Sequence, residues 1–221
     1  MSAKMRTRLR NLFPILIGLY TPLLIVVLII VLIGFQLSIP MADLTRDPSA
    51  ITDTNPFLGA LSNIGVLSWC ATVAICLFTF ALLNKKPFTG EFSAFLLGGG
   101  LISLILLLDD LFLFHETVFP LYFNIPEKIV FLSYGLILLG YITRFRKLIS
   151  ETDFIFLIFA FVFFGFSMVI DLLDLRISAL FEDGSKLFGI VSWLGYFART
   201  CFQVIKYALL QPTENNEERF S

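Results

Sequence analysis

Six apolar stretches separated by short polar segments dominate the chain. A hydrocarbon core about 30 Å thick requires about 20 apolar residues in one helix, because backbone groups in lipid must be satisfied within the segment. The pattern therefore predicts an all-α, polytopic membrane helical bundle with six transmembrane helices. The fourth stretch is the shortest and spans only if Lys128 and Arg144 snorkel. The predicted spans are residues 12–35, 58–83, 92–114, 129–143, 154–175 and 186–209.

Basic residues alternate from one side of these stretches to the other. Four of them lie within residues 1–11, Lys85 and Lys86 follow the second stretch, and three lie within residues 144–147 after the fourth. The positive-inside rule therefore predicts that both termini are cytoplasmic, with 1–11 as a basic segment, 12–209 as the membrane domain and 210–221 as a disordered tail. A cleaved signal peptide is the alternative for the first stretch, which is long for one. The predicted location is a bacterial plasma membrane or a thylakoid-type membrane.

The composition of the chain excludes several classes of protein and site. The chain is 57% hydrophobic and 15% charged, which is too apolar for a soluble globule. A net charge of −1 gives no field for nucleic acid. No Gly-rich phosphate loop is present, and no nucleotide, haem or flavin is indicated. The single histidine excludes zinc sites that need several imidazoles, and three cysteines within apolar stretches indicate packing residues.

Acidic residues cluster at the end of the third stretch. The string LDDLFLFHE contains Asp109, Asp110, His115 and Glu116. A charge inside hydrocarbon costs about 2.5 to 3.5 kcal/mol, so its position carries information. Asp109 and Glu116 share one stripe if the helix continues to Glu116. We expect a functional role for Asp109 and Asp110, with a buried structural network as the alternative.

Other polar residues are predicted to reach the same membrane layer. Asp171 and Asp174 lie three positions apart at the end of the fifth stretch, and they point the same way. Glu182, Asp183 and Lys186 open the sixth, where helix capping is the simpler interpretation of the two acids. Three further residues enter this layer as lining residues, namely Ser62, Asn63 and Tyr134.

Several carboxylates at the edge of a low-dielectric slab need compensation, by a divalent cation, by shared protons, or by Arg176 and Lys186. Oxygen ligands with one imidazole favour Mg, Ca, Mn or ferrous iron. In this hypothesis His115 and Asp110 are the catalytic groups, and His115 shuttles a proton. The predicted metal ligands are Asp109, Asp110, Glu116, Asp171 and Asp174, and the other lining residues are Ser62, Asn63, Glu182 and Lys186.

LDDLFLFHE and the later string EDGSKLFG at 182–189 resemble a pattern in uncharacterised bacterial, particularly cyanobacterial, polytopic membrane proteins. This resemblance implies a fold and a site position but no activity. Ser62 with Asp109 or Asp110 also resembles two elements of the alkaline ceramidase-like membrane hydrolases. That superfamily uses several histidines, whereas this chain has only His115.

Three functions are compatible with these patterns. The leading hypothesis is a membrane-embedded, metal-dependent enzyme acting on a lipid-like substrate at the non-cytoplasmic face. A cation or proton-coupled transporter or channel subunit is the second, with the same acids as a relay. A structural or assembly subunit is the third. The expected partners are membrane lipids, and either a second copy of the chain or a membrane complex.

Overall fold

The computed structural model describes residues 3–83, 90–172 and 179–210, and these residues contain helices and no β-strand. A π-helical turn, Phe114–Val118, lies between α5 and α6. The helices are α1 (Ala3–Leu37), α2 (Met41–Thr45), α3 (Pro48–Thr52), α4 (Ala60–Leu83), α5 (Gly90–Phe112), α6 (Phe119–Phe123), α7 (Glu127–Ser150), α8 (Ile155–Leu172) and α9 (Ala179–Leu210).

Four of these helices have segments long and apolar enough to cross a membrane. They are Leu16–Leu37, Ala60–Leu83, Gly90–Phe112 and Glu127–Ser150, with a shorter apolar segment at Ile155–Ile170. The prediction of an all-α chain with membrane-length apolar helices is confirmed at this level. Helix α7 has 24 residues and contains the fourth predicted stretch together with Lys128 and Arg144, so the snorkelling of these two residues stays a prediction.

The sixth predicted stretch lies within a longer helix. Helix α9 starts at Ala179, so Glu182 lies in its first turn and Lys186 lies about two turns inside the helix. The fifth stretch was predicted to end at residue 175, and residues 173–178 are outside the described part of the chain. Asp174 and Arg176 therefore carry no structural description.

The chain divides into two compact units, residues 1–58 and 59–221. The first unit contains α1, α2 and α3. Apolar side chains on α1 are exposed, including Leu24, Leu28 and Leu32. A helix with apolar residues exposed over most of its surface is typical of a lipid-facing span. The polar segment 36–56 holds α2 and α3, and Asp47 caps α3 by accepting the Ser49 backbone N–H at 2.9 Å.

The second unit packs around a row of glycines in α5. A methyl group at Gly99 would clash with the Phe197 ring of α9, and one at Gly100 would lie 3.2 Å from Cys76 Cβ of α4. These glycines therefore allow α5 to pack closely against α4 and α9. Cys76 and Cys201 are buried as free thiols, in agreement with their predicted packing role, whereas the free thiol of Cys70 is exposed.

Candidate functional site

The chain changes direction sharply at the end of α5, and this turn brings His115 next to Asp109. The helix stops at Phe112, and Leu113 takes a left-handed conformation with φ of +53°. The following π-helical turn brings His115 back over the end of the helix. Its backbone N–H donates to Asp109 Oδ1 at 2.9 Å, so the Asp109 carboxylate holds the turn as well as the helix end.

Asp109 and His115 form a buried pair. The imidazole Nδ1 lies 2.5 Å from Asp109 Oδ2, and both side chains are 5% exposed. The Tyr134 hydroxyl of α7 donates to Asp109 Oδ1 at 2.9 Å, and the Phe131 ring lies 4.8 Å from the imidazole. With Nδ1 held by a carboxylate, the other ring nitrogen becomes the one available for exchange. That atom, Nε2, lies 3.3 Å from Glu116 Oε1.

The pKa of His115 reflects two opposing effects. Burial alone would lower it, because the protonated ring is poorly solvated there. The hydrogen bond and the charge of Asp109 outweigh burial, with a smaller contribution from Glu116 and an opposing one from Lys186. The net result is a pKa above the ordinary value for histidine.

Asp110 faces a different set of partners. Lys186 Nζ of α9 lies 2.7 Å from Asp110 Oδ1, and the Trp69 indole N–H of α4 donates to Oδ2 at 2.8 Å. The carboxylate side chain is 11% exposed and the lysine 39% exposed. The two adjacent carboxylates of α5 therefore contact different helices. Asp109 contacts α7, and Asp110 contacts α4 and α9.

Both pairs border one cavity of about 530 Å³, within the range of small-molecule sites. The polar lining consists of Asp109, Asp110, His115, Glu116, Glu127, Tyr134, Ser167, Glu182, Asp183 and Lys186. The apolar lining consists of Trp69, Leu106, Phe131, Leu138, Phe161, Phe164, Met168 and Trp193.

The comparisons with known proteins give a family. A family model described as "Domain of unknown function (DUF8692)" matches residues 21–200. The chain belongs to this family. No curated protein and no solved structure matches it. The matched segment includes every described residue that lines the cavity, so the cavity lies entirely within the DUF8692 domain.

The predicted resemblance to a family without an assigned activity agrees with this match. A bacterial origin and the resemblance to alkaline ceramidases stay predictions. Most predicted site residues of the domain line the one cavity, namely Asp109, Asp110, His115, Glu116, Tyr134, Glu182 and Lys186. Ser62 and Asn63 do not line it; both are exposed near the start of α4, about two turns before Trp69. The Asp171 side chain and the whole of Asp174 lie outside the described residues.

The predicted stripe joining Asp109 to Glu116 is wrong. It requires an unbroken helix to Glu116, whereas α5 ends at Phe112 and Leu113 reverses the chain. His115 consequently takes the place beside Asp109, and Glu116 meets the far side of the imidazole.

The predicted metal site is not assembled by the described residues. No group of three or more His, Cys, Asp or Glu side chains in ranges 3–83, 90–172 and 179–210 is arranged to hold an ion. Asp109 already accepts from His115 and Tyr134, and Asp110 from Lys186 and Trp69. The sequence predicted that the negative charges are balanced by a divalent cation, by shared protons, or by Arg176 and Lys186. Among these, the described contacts contain the ion pair between Lys186 and Asp110. The divalent cation stays a prediction.

Trp69 and Trp193 lie within apolar stretches, where packing is the simpler expectation, and both also line the cavity. Trp69 also fixes Asp110, while the Trp193 indole N–H donates to Ser103 Oγ at 2.9 Å. A tryptophan within an apolar helix carries one N–H that needs an acceptor. The need for an acceptor could therefore have predicted, from the sequence, that Trp69 contacts a polar side chain such as Asp110.

Proposed function

We propose that this chain is a membrane-embedded enzyme that binds a lipid-like amphiphile in the cavity, where the Asp109–His115 pair transfers a proton at the polar end of the molecule. The observation that carries the proposal is the polarity gradient of the cavity. On α9 the polar residues Glu182 and Lys186 precede the apolar Trp193. On α5 the apolar Leu106 precedes the two aspartates.

The two remaining bundle helices follow the same gradient. On α7, Glu127 comes first and Leu138 lies 11 residues further, which is about 16 Å along a helix. On α8, Phe161 and Phe164 precede Ser167, which Met168 follows. Since α7 and α9 begin at the polar side and α5 and α8 end there, one side of the cavity is polar and the other is apolar. An amphiphile has the same two-part character.

The Asp109–His115 pair supports a role in chemistry. A carboxylate that accepts the Nδ1 proton orients the ring and fixes its tautomer, which leaves Nε2 to accept or donate a proton. Glu116, the neighbour of Nε2, has a side chain that is 51% exposed and can therefore move aside. In this arrangement His115 is the proton-transfer group, Asp109 orients it, and Tyr134 positions Asp109.

The membrane arrangement is part of the same proposal. Six spans with both termini in the cytoplasm would place the polar side of the cavity at the non-cytoplasmic face. This topology is supported by the distribution of Lys and Arg along the sequence and by the alternating directions of α5, α7, α8 and α9 at the cavity. The proposed membrane is a bacterial plasma membrane or one of thylakoid type.

Binding can be tested through His115, because it is the only histidine in the chain. Diethyl pyrocarbonate modifies unprotonated imidazole, and mass spectrometry locates the product. We expect decanol to slow modification of His115. Leu138→Trp, which fills the cavity, should abolish that protection, whereas Leu136→Trp on the exposed side of α7 should not. Equal protection in both variants would contradict binding in the cavity.

Catalysis requires a separate experiment. Proteoliposomes made from a bacterial lipid extract are incubated with the protein, and lipid composition is followed by mass spectrometry. We expect a time-dependent change with the parent protein that is lost in His115→Gln and in Asp109→Asn. A change that persists in both variants would remove the proton-transfer role.

Transport is the runner-up proposal. A relay needs polar groups that continue along the bundle, and the Thr72, Thr79 and Ser103 hydroxyls instead donate to carbonyls four residues earlier in their own helices. Proton or cation flux into liposomes that disappears with Asp109→Asn would favour transport. Loss of a co-purifying protein, with lipid conversion and flux unchanged, would favour the assembly-subunit proposal.

A divalent cation is a further, independent proposal. Its predicted ligands are Asp109, Asp110, Glu116, Asp171 and Asp174, and the first three of these also contact His115 or Lys186. Metal analysis of the purified protein, compared with the Asp171→Asn, Asp174→Asn double variant, tests it. Equal metal content in the two proteins would eliminate Asp171 and Asp174 as ligands.

A further inference from the structure

The charges around the cavity indicate which amphiphile it selects, an inference that rests on the proposed function. Six carboxylates line the cavity, compared with one lysine and one histidine among its described lining residues. The lysine is bound to Asp110 at 2.7 Å and the histidine to Asp109 at 2.5 Å. An excess of one sign of charge in a cleft with low-dielectric walls concentrates ions of the opposite sign.

The walls of the cavity add a second, independent feature. Six aromatic side chains line it: Trp69, Phe131, Tyr134, Phe161, Phe164 and Trp193. Trp69 stacks on Phe164 with ring centres 6.1 Å apart, and Phe161 meets Trp193 edge-on at the same distance. Aromatic faces attract cations, tryptophan most strongly, and aromatic cages are a common way to bind quaternary ammonium groups.

The described lining residues offer an anionic head group no comparable partners. Phosphate and sulfate are best bound by the planar fork of arginine, and no arginine is among the described lining residues. A phosphate near Lys186 would have to compete with Asp110 and would also meet Glu182 and Asp183. The same surroundings favour a cation.

We infer that the ligand is a cationic amphiphile, a long-chain amine or alkylammonium. Its nitrogen lies among the carboxylates and aromatic rings, and its chain extends along the apolar walls toward Leu106 and Leu138. The contact between the ligand's alkyl chain and the apolar and aromatic walls accounts for the affinity for an amphiphile. The excess of carboxylates accounts for the selection of a positive head group.

Three probes of one chain length test this inference: decyltrimethylammonium, decanol and decyl sulfate. The protein is studied in a maltoside detergent, and binding is followed by tryptophan fluorescence, since both tryptophans of the chain line the cavity. We expect the cation to bind about tenfold more tightly than the sulfate, a difference of about 1.4 kcal/mol in binding free energy. Decanol should fall between them.

Charge variants assign this preference to the cavity. Glu116→Gln and Glu182→Gln should each weaken decyltrimethylammonium several-fold and leave decanol unchanged. Glu151→Gln is the matched control, because it removes the same charge from an exposed residue outside the cavity, and it should change neither probe.

The outcomes separate this inference from the proposed function. Equal or tighter binding of decyl sulfate would overturn the cationic selectivity while leaving amphiphile binding intact. A charge preference that survives Glu116→Gln and Glu182→Gln together would also overturn it. Decanol binding that is unaffected by Leu138→Trp would instead remove the cavity as the amphiphile site, and both proposals would fall.

Discussion

His115 Nδ1 lies 2.5 Å from Asp109 Oδ2 although α5 ends between the two residues. The contact exists because the Leu113 turn folds the chain back and because Asp109 accepts both the ring and the backbone N–H of His115. One carboxylate thus stabilises the turn and orients the imidazole. Loss of Asp109 is therefore expected to change the chemistry of the histidine and the local fold together.

Asp109→Asn is expected to lower the pKa of His115. The parent pKa lies above the ordinary value of about 6.5 because Asp109 outweighs burial, and without that charge burial dominates. Since the folded-state pKa is raised, protonated His115 stabilises the fold fully below about pH 6.5, and this contribution is lost as the pH rises through the raised pKa. NMR of the single histidine gives the pKa directly, and thermal unfolding against pH gives the stability.

Glu116→Gln is the comparison for this measurement, because Glu116 contributes less to the raised pKa than Asp109 does. It should lower the pKa of His115 by a smaller amount. A histidine pKa that is the same in the parent and Asp109→Asn proteins would contradict the pairing.

Helix type and the presence of membrane-length apolar helices followed from hydrophobic length alone, because lipid requires continuous apolar helices. Asp109 and Asp110 stood out in the sequence because charge near hydrocarbon is costly, and both line the cavity together with His115 and Lys186. The pairing of Asp109 with His115 did not follow, because it depends on the left-handed Leu113, and leucine carries no local signal for that conformation. A sequence without glycine at that position gives no reason to end the helix there.

The cavity was equally hard to predict. It is assembled from residues on five helices, and pattern analysis treats each helix alone. Ser62 illustrates the difficulty. It lies seven residues before Trp69 on one face of α4, and the register between helices decides that the tryptophan, not the serine, reaches Asp110.

Leu113→Gly is expected to stabilise the protein slightly. A left-handed conformation costs a non-glycine residue about 1 to 2 kcal/mol, and glycine relieves it while losing about 0.5 to 1 kcal/mol in chain entropy. Leu113 is 46% exposed, so little packing is lost. The free energy of unfolding in detergent should therefore rise by about 0.5 to 1 kcal/mol.

Leu111→Gly is the matched control for that change. Leu111 is 50% exposed but lies within α5, where glycine costs about 1 kcal/mol. Equal destabilisation by the two glycine variants would show that the chain does not reverse at Leu113.

Lys186→Met is expected to destabilise the fold by about 1 to 2 kcal/mol, because it leaves Asp110 without its charged partner. The value is below that of a fully buried pair because Lys186 is 39% exposed and water screens part of the interaction. Adding Asp110→Asn should recover part of the loss, which a double-mutant cycle of unfolding free energies measures.

Arg144→Met provides the reference for an exposed ion pair. Arg144 lies 3.6 Å from Glu91, and their side chains are 66% and 61% exposed. Its loss should cost less than about 0.5 kcal/mol. If Lys186→Met costs no more than Arg144→Met, the Asp110 pair does not hold the helices together.

Trp69→Phe is expected to cost more than Trp193→Phe, although both keep an aromatic ring. Trp69 donates to a carboxylate, whereas Trp193 donates to the neutral Ser103 hydroxyl. Hydrogen bonds to charged groups contribute about 1.5 to 3 kcal/mol and neutral ones about 0.5 to 1.5 kcal/mol. Each variant leaves one tryptophan, so fluorescence follows its unfolding with a single reporter.

The cost of Trp69→Phe should shrink in an Asp110→Asn background, because the acceptor is then uncharged. A cost that is unchanged in that background, or smaller than that of Trp193→Phe, would mean that Trp69 stabilises the protein through its ring alone.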